Sequence, residues 1–206
     1  MLDFCRRHLL TAFCVAAVGL LGAWVARTAA GARAIRRQEE EALRVIRAIL
    51  ACEQERAPTP AAAQPYLGLD QLLAGGSLAR RHAAMLEADE SLGGLPIYRA
   101  SGYLFAVVLL DDQDQPAPVG RRFKAYAWPQ SYGRTGTVFF YTDARGDIYQ
   151  GENAAGRFSG QHAPFEEDPV RDQRKVKQHD LDEKQFRNRW RLFDRLGSEM
   201  RSASDR

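Results

Sequence analysis

Residues Ala34–Arg56 read AIRRQEEEALRVIRAILACEQER, and the fold turns on this stretch. Ala42, Val45, Ile46, Ile49 and Cys52 recur at three- and four-residue spacing, which lines them along one face of a helix. Glu40, Arg44 and Arg47 charge the opposite face, and Glu40 with Arg44 forms a favourable i,i+4 pair. Pro58 and Pro60 end the helix. A helix with one apolar face must bury it, so the rest of the domain has to supply a matching apolar layer.

Downstream, the pattern changes to strand. Tyr103–Leu110 (YLFAVVLL) is aromatic and β-branched and stops at the polar turn Asp111–Pro116. In Arg122–Trp128, Phe123, Ala125 and Ala127 share one face and Lys124, Tyr126 and Trp128 the other. Thr137–Thr142 reads as a third strand, and Asp143-Ala144-Arg145-Gly146 as a tight turn into Asp147–Gln150. Short connections make these neighbours antiparallel. Between stem and strands, Ala61–Ile97 reads as a linker with short helical pieces, broken at Gly75-Gly76 and Gly93-Gly94. Beyond them, 166–206 is rich in charges of both signs, and Phe186, Trp190 and Phe193 form a stripe that predicts a helix over about Leu181–Leu196 and a disordered tail.

Upstream, Leu9–Ala26 carries no charge. As a helix it reaches about 27 Å against a hydrocarbon core of about 30 Å. It also parses as the apolar region of a signal peptide, with Arg6 and Arg7 before it and Ala30-Gly31-Ala32 as a cleavage site. The run is long for a cleaved signal and Arg27 sits close to the site, which favours the anchor. The two readings differ in whether residues 1–32 stay in the mature chain. Arg27, Arg33, Arg36 and Arg37 outnumber Arg6 and Arg7, and by positive-inside counting would hold the main domain in the cytoplasm. The short basic N-terminus before an apolar run is instead an export pattern, and we read the domain as extracytoplasmic. The expected organisation is a basic N-terminus (1–8), an anchor in the inner membrane (9–26), an amphipathic stem (27–57), a soluble α+β domain (58–165) and a charged C-terminal segment (166–206). The alternative is a small periplasmic or secreted binding domain.

A net charge of +3, with acids and bases interleaved, is too small to imply a nucleic-acid partner, and none is expected. Cys5, Cys14 and Cys52 form no metal pattern, although Cys52 could bridge two copies in an oxidising compartment. His8, His82, His162 and His179 are scattered, and no nucleophile elbow or phosphate loop occurs. The expectation is a non-enzyme without a cofactor. Its partners are the membrane through 9–26 and proteins, or further copies, through the stem or C-terminal helix. His162 with an acid such as Asp143 is the pair that would revive a catalytic reading. Tyr126, Trp128, Tyr132, Phe139, Phe140 and Tyr141 are sheet core or the lining of a ligand groove.

This succession resembles the type IV pilin and type II secretion pseudopilin family. The likeness is carried by Glu41–Ile49, Ser101–Phe105, Ala125–Pro129, Tyr132–Gly136, Phe139–Asp143 and Gly146–Tyr149, within residues 9–155. It implies a pilin-like α+β fold: a long N-terminal helix, transmembrane then amphipathic, on a three- to four-stranded antiparallel sheet, here followed by a C-terminal helix. It also implies work as an assembly component of the cell envelope. The chain departs from the family at its cleavage motif, because His8 precedes Leu9-Leu10-Thr11-Ala12-Phe13 and no Glu lies in the run. An unprocessed anchor follows. Some pseudopilins hold calcium in a loop, and Asp143, Asp147, Glu152 and Asn153 could supply oxygen ligands around Gly146 and Gly151; a hairpin turn explains Asp143–Gly146 fully and is the favoured reading.

Overall fold

A computed structural model describes residues 2–56, 65–76, 78, 82, 85–177 and 183–195, with side chains from Gly19 onward except at 176, 177, 188, 194 and 195. Helix α1 runs unbroken over Leu2–Arg56. A short helix α2 (Leu69–Ala74) follows, and then β1 (Glu87–Ala88), β2 (Tyr98–Ala100), β3 (Tyr103–Leu110), β4 (Arg122–Pro129), β5 (Val138–Asp143) and β6 (Asp147–Glu152). Helices α3 (Pro169–Lys177) and α4 (Glu183–Arg189) lead into β7 (Trp190–Arg195).

The strands form one seven-stranded sheet in chain order, and every neighbouring pair is antiparallel. This corrects the expected fold class. The strands read from the sequence are the inner four, and β1, β2 and β7 extend the sheet beyond the three or four of a pilin-like domain. Tyr98–Ala100 is too short for an alternating pattern to show, yet its pairing with Tyr103–Phe105 through the turn at Ser101-Gly102 covers the start of β3. The expected C-terminal helix is also corrected. Only Glu183–Arg189 is helical, and from Trp190 the chain pairs with β6. The ladder bonds on β6 and the burial of Trp190 among Phe139, Tyr141 and Tyr149 outweigh the helical spacing. Leu181, Leu196, His179 and the expected tail lie outside the described residues, as do Pro58 and Pro60.

Both faces of the sheet are buried. Tyr103, Phe105, Val107, Leu109, Phe123, Ala125 and Ala127 pack under α1, where Ala42, Val45, Ile46, Ile49 and Leu50 are fully enclosed. Leu104, Ala106, Tyr126, Trp128, Phe139 and Tyr141 make a second core beneath Phe158, Phe165, Phe186 and Trp190. An uninterrupted apolar run such as YLFAVVLL suits a strand enclosed on both faces. The segment 166–195 is therefore the cover of the second face and not an appendage. Its staple is buried Glu167, whose carboxylate accepts from Arg189 Nη2 at 2.6 Å and lies 3.3 Å from Arg157. Trp190 Nε1 donates to the buried Asp172 carboxylate at 2.8 Å.

The N-terminal part of α1 makes no part of this core. Residues 19–34 are exposed throughout. Among the described residues no helix is long and apolar enough to cross a membrane. Of the charge-free run Leu9–Ala26, only the side chains from Gly19 onward are among those described.

Candidate functional site

Helix α1 gives the domain a direction. The Glu39 carboxylate accepts from the backbone N–H and hydroxyl of Thr137, both at 2.8 Å, so its middle sits at the end of the sheet where β5 begins. Its last turn sits at the opposite end, where Glu53 accepts from Leu67 N–H at 3.1 Å. There Tyr66 pairs with Gly120 and packs on Phe123 at 4.9 Å between ring centroids.

At this second end opens a groove of about 520 Å³, within the range of ligand sites. The buried rings of Phe123 and Tyr141, one from each face of the sheet, border it. Its walls hold Arg122, Lys124, Arg145, Arg171 and Arg174 against Asp114, Asp143 and Asp168. The carboxylates are all taken. Arg122 lies 2.8 Å from Asp114, Lys124 2.9 Å from Asp168 and Arg145 3.0 Å from Asp143. Burial alone would raise the Asp168 carboxyl, but the hydrogen bond and charge of Lys124 outweigh it and hold the group below its ordinary range. Asp168 also caps α3, accepting from the N–H groups of Val170 at 2.9 Å and Arg171 at 3.1 Å. That cap aims Arg171 and Arg174, one turn apart on α3, over the groove. Both are exposed. Arg171 donates to the Glu166 carbonyl at 2.8 Å, and neither guanidinium is in an ion pair among the described residues.

No family model matches the chain, and no curated protein or solved structure matches it.

The four residues considered for calcium are not brought together. Asp143 and Asp147 flank the β5–β6 turn, where Asp143 accepts from Tyr141 Oη at 3.2 Å and from Arg145 N–H at 2.9 Å. Glu152 and Asn153 lie at the other end of β6, about 17 Å along the strand. Asn153 is buried with its amide spent on Phe158, donating to its carbonyl at 2.7 Å and accepting from its N–H at 2.8 Å. Among the described residues no cluster of three His, Cys, Asp or Glu side chains could hold a metal. His162 lies in the 158–163 loop, which covers the other end of the second core, and it does not line the groove with Asp143.

The aromatic residues divide. Tyr126, Trp128, Phe139, Phe140 and Tyr141 are core, and only Tyr132 is exposed. Trp128 Nε1 donates to the Gly160 carbonyl at 2.7 Å beside a small cleft of about 150 Å³ bordered by Leu92, Ile97 and Leu104. Tyr126 Oη donates to the carbonyls of Phe165 and Glu167, and burial drives the phenols of Tyr126 and Tyr141 far above their ordinary range. These hydroxyls are structural ties.

Of the groove residues, sequence reasoning singled out Asp143, for calcium or for a pair with His162, and Tyr141, as core or groove lining, but none of the five cations. One local signal pointed to part of them: Asp168-Pro169 is a cap followed by a helix-opening proline, and it starts a helix that carries Arg171 and Arg174.

Proposed function

We propose that this chain is a non-enzymatic, membrane-tethered interaction component of the cell envelope. Residues 9–26 hold it at the membrane, and the sheet domain offers its charged groove to a partner. The observation that carries the reading is the exposed apolar surface on α1. Leu20 is 73% exposed, Leu21 69% and Trp24 66%, on a helix continuous with one buried in the domain. Such a surface is costly in water and needs a lipid or protein cover. Arg27, Arg33, Arg36 and Arg37 follow it and suit a lipid headgroup layer. From Trp24 to Glu53 the helix rises about 44 Å, so the groove would face away from the bilayer.

A recognition role is favoured over catalysis by the make-up of the groove. No serine, cysteine or histidine lines it. Asp168, held below its ordinary range, is the reverse of a general acid.

The test is fractionation of cells producing the full chain, with an alkaline carbonate wash and intact mass of each pool. Full-length chain kept in washed membranes, and released when residues 9–26 are deleted, supports the tether. A soluble, full-length monomer would overturn it, and a soluble form lacking about the first 32 residues would establish the secreted alternative.

A further inference from the structure

We infer that the groove takes an acidic peptide segment of a partner protein, read by Arg171 and Arg174. The inference rests on the groove being the recognition surface of the domain. Five cations face three carboxylates there, and each carboxylate is already neutralised by a cation within 2.8–3.0 Å. Among the described residues, the uncompensated charge belongs to Arg171 and Arg174, both exposed and side by side on α3. A guanidinium presents a planar fork that matches a carboxylate with two parallel hydrogen bonds. Two forks one helical turn apart, with Cβ atoms about 5–6 Å from each other, suit carboxylates on alternate positions of an extended chain, which share one face.

The excess positive charge of the groove is confined to Arg171 and Arg174, so it suits a segment that carries acids at two spaced positions better than a polymer anionic at every unit. The groove, at about 520 Å³, is far larger than inorganic phosphate requires.

The test uses the full chain in detergent and a fluorescent peptide Gly-Ser-Glu-Ser-Glu-Ser-Gly, with inorganic phosphate and a single-stranded oligothymidylate of equal charge as competitors. Binding at low salt that weakens as salt rises is expected. Arg171→Glu with Arg174→Glu should weaken it at least about tenfold, the loss of two charge-assisted contacts. Arg99→Glu with Arg134→Glu makes the same charge change elsewhere on the domain and should leave binding within about twofold. Equal weakening by both pairs would reduce the effect to net charge and overturn the proposal. So would the absence of binding, or displacement by phosphate or the oligonucleotide at concentrations comparable to the peptide. The four arginines are exposed, and unchanged thermal midpoints identify variants that keep the fold. Loss of peptide binding with the chain still in washed membranes removes this inference alone; a soluble full-length chain removes the tether alone.

Discussion

Glu53 makes the stability of the domain depend on pH in an unusual direction. Its side chain is fully buried at the end of α1, with the Leu67 N–H as hydrogen-bond donor and Arg56 nearby. Burial raises its carboxyl from 4.5 to about 7, against the opposing pull of that N–H and of Arg56. A raised acid binds its proton more tightly in the folded chain, so its contribution is intact below 4.5 and is lost as pH rises toward about 7. Between pH 5 and pH 8 the difference amounts to about 2–3 kcal/mol. For a chain of this size that is about 5–10 °C in thermal midpoint. Asp168, whose carboxyl is lowered, works in the other sense and only at more acid pH. Thermal unfolding of the full chain in detergent, followed by circular dichroism at pH 5, 6, 7 and 8, measures the effect. The midpoint should fall across the series, and Glu53→Gln, which has no proton to lose, should flatten it and be the more stable form at pH 8. Parallel curves for both proteins would refute the placement of a buried carboxyl beneath Leu67.

Other substitutions probe the two cores. Ile46→Asp would place an unpaired charge under the sheet and should cost about 4 kcal/mol or more, visible as loss of the cooperative transition. Gly151→Ala sets a methyl 2.2 Å from the Phe139 ring, and an overpacking cost of about 1–3 kcal/mol should appear in denaturant titration. Glu167→Ala strips the carboxylate from Arg157 and Arg189 and should cost about 3–5 kcal/mol. Amide hydrogen exchange should then speed up first in Trp190–Arg195, the strand that this pair holds in place.

What could be read in the sequence follows from how each signal is written. Ala42, Val45, Ile46, Ile49 and Cys52 announce a buried helical face because the period repeats for several turns, and all five are buried. Tyr103–Leu110 shows its strand because aromatic and β-branched residues fill it between turns. The second core was not legible, because nothing local says that Tyr126 and Trp128 meet Phe158, Phe165 and Trp190 from a distant segment. For the same reason Trp190–Arg195 reads as helix: its spacing with Phe186 is helical, and only the open edge of β6 makes it a strand. The groove escaped because its charges come from β4, the β5–β6 turn and α3, which sequence spacing does not connect.

The tether is tested most directly by depth measurement on the helix itself. Full chain with Cys5→Ser and Cys14→Ser, spin-labelled in turn at Leu21→Cys and at Arg44→Cys, would be placed in liposomes and exposed to oxygen and to a water-soluble nickel complex. The label at 21 should be reached by oxygen and shielded from nickel, and the label at 44 should show the reverse. Equal access of nickel to both would mean that the exposed apolar face of α1 does not lie in lipid, and the membrane-tethered account would fall.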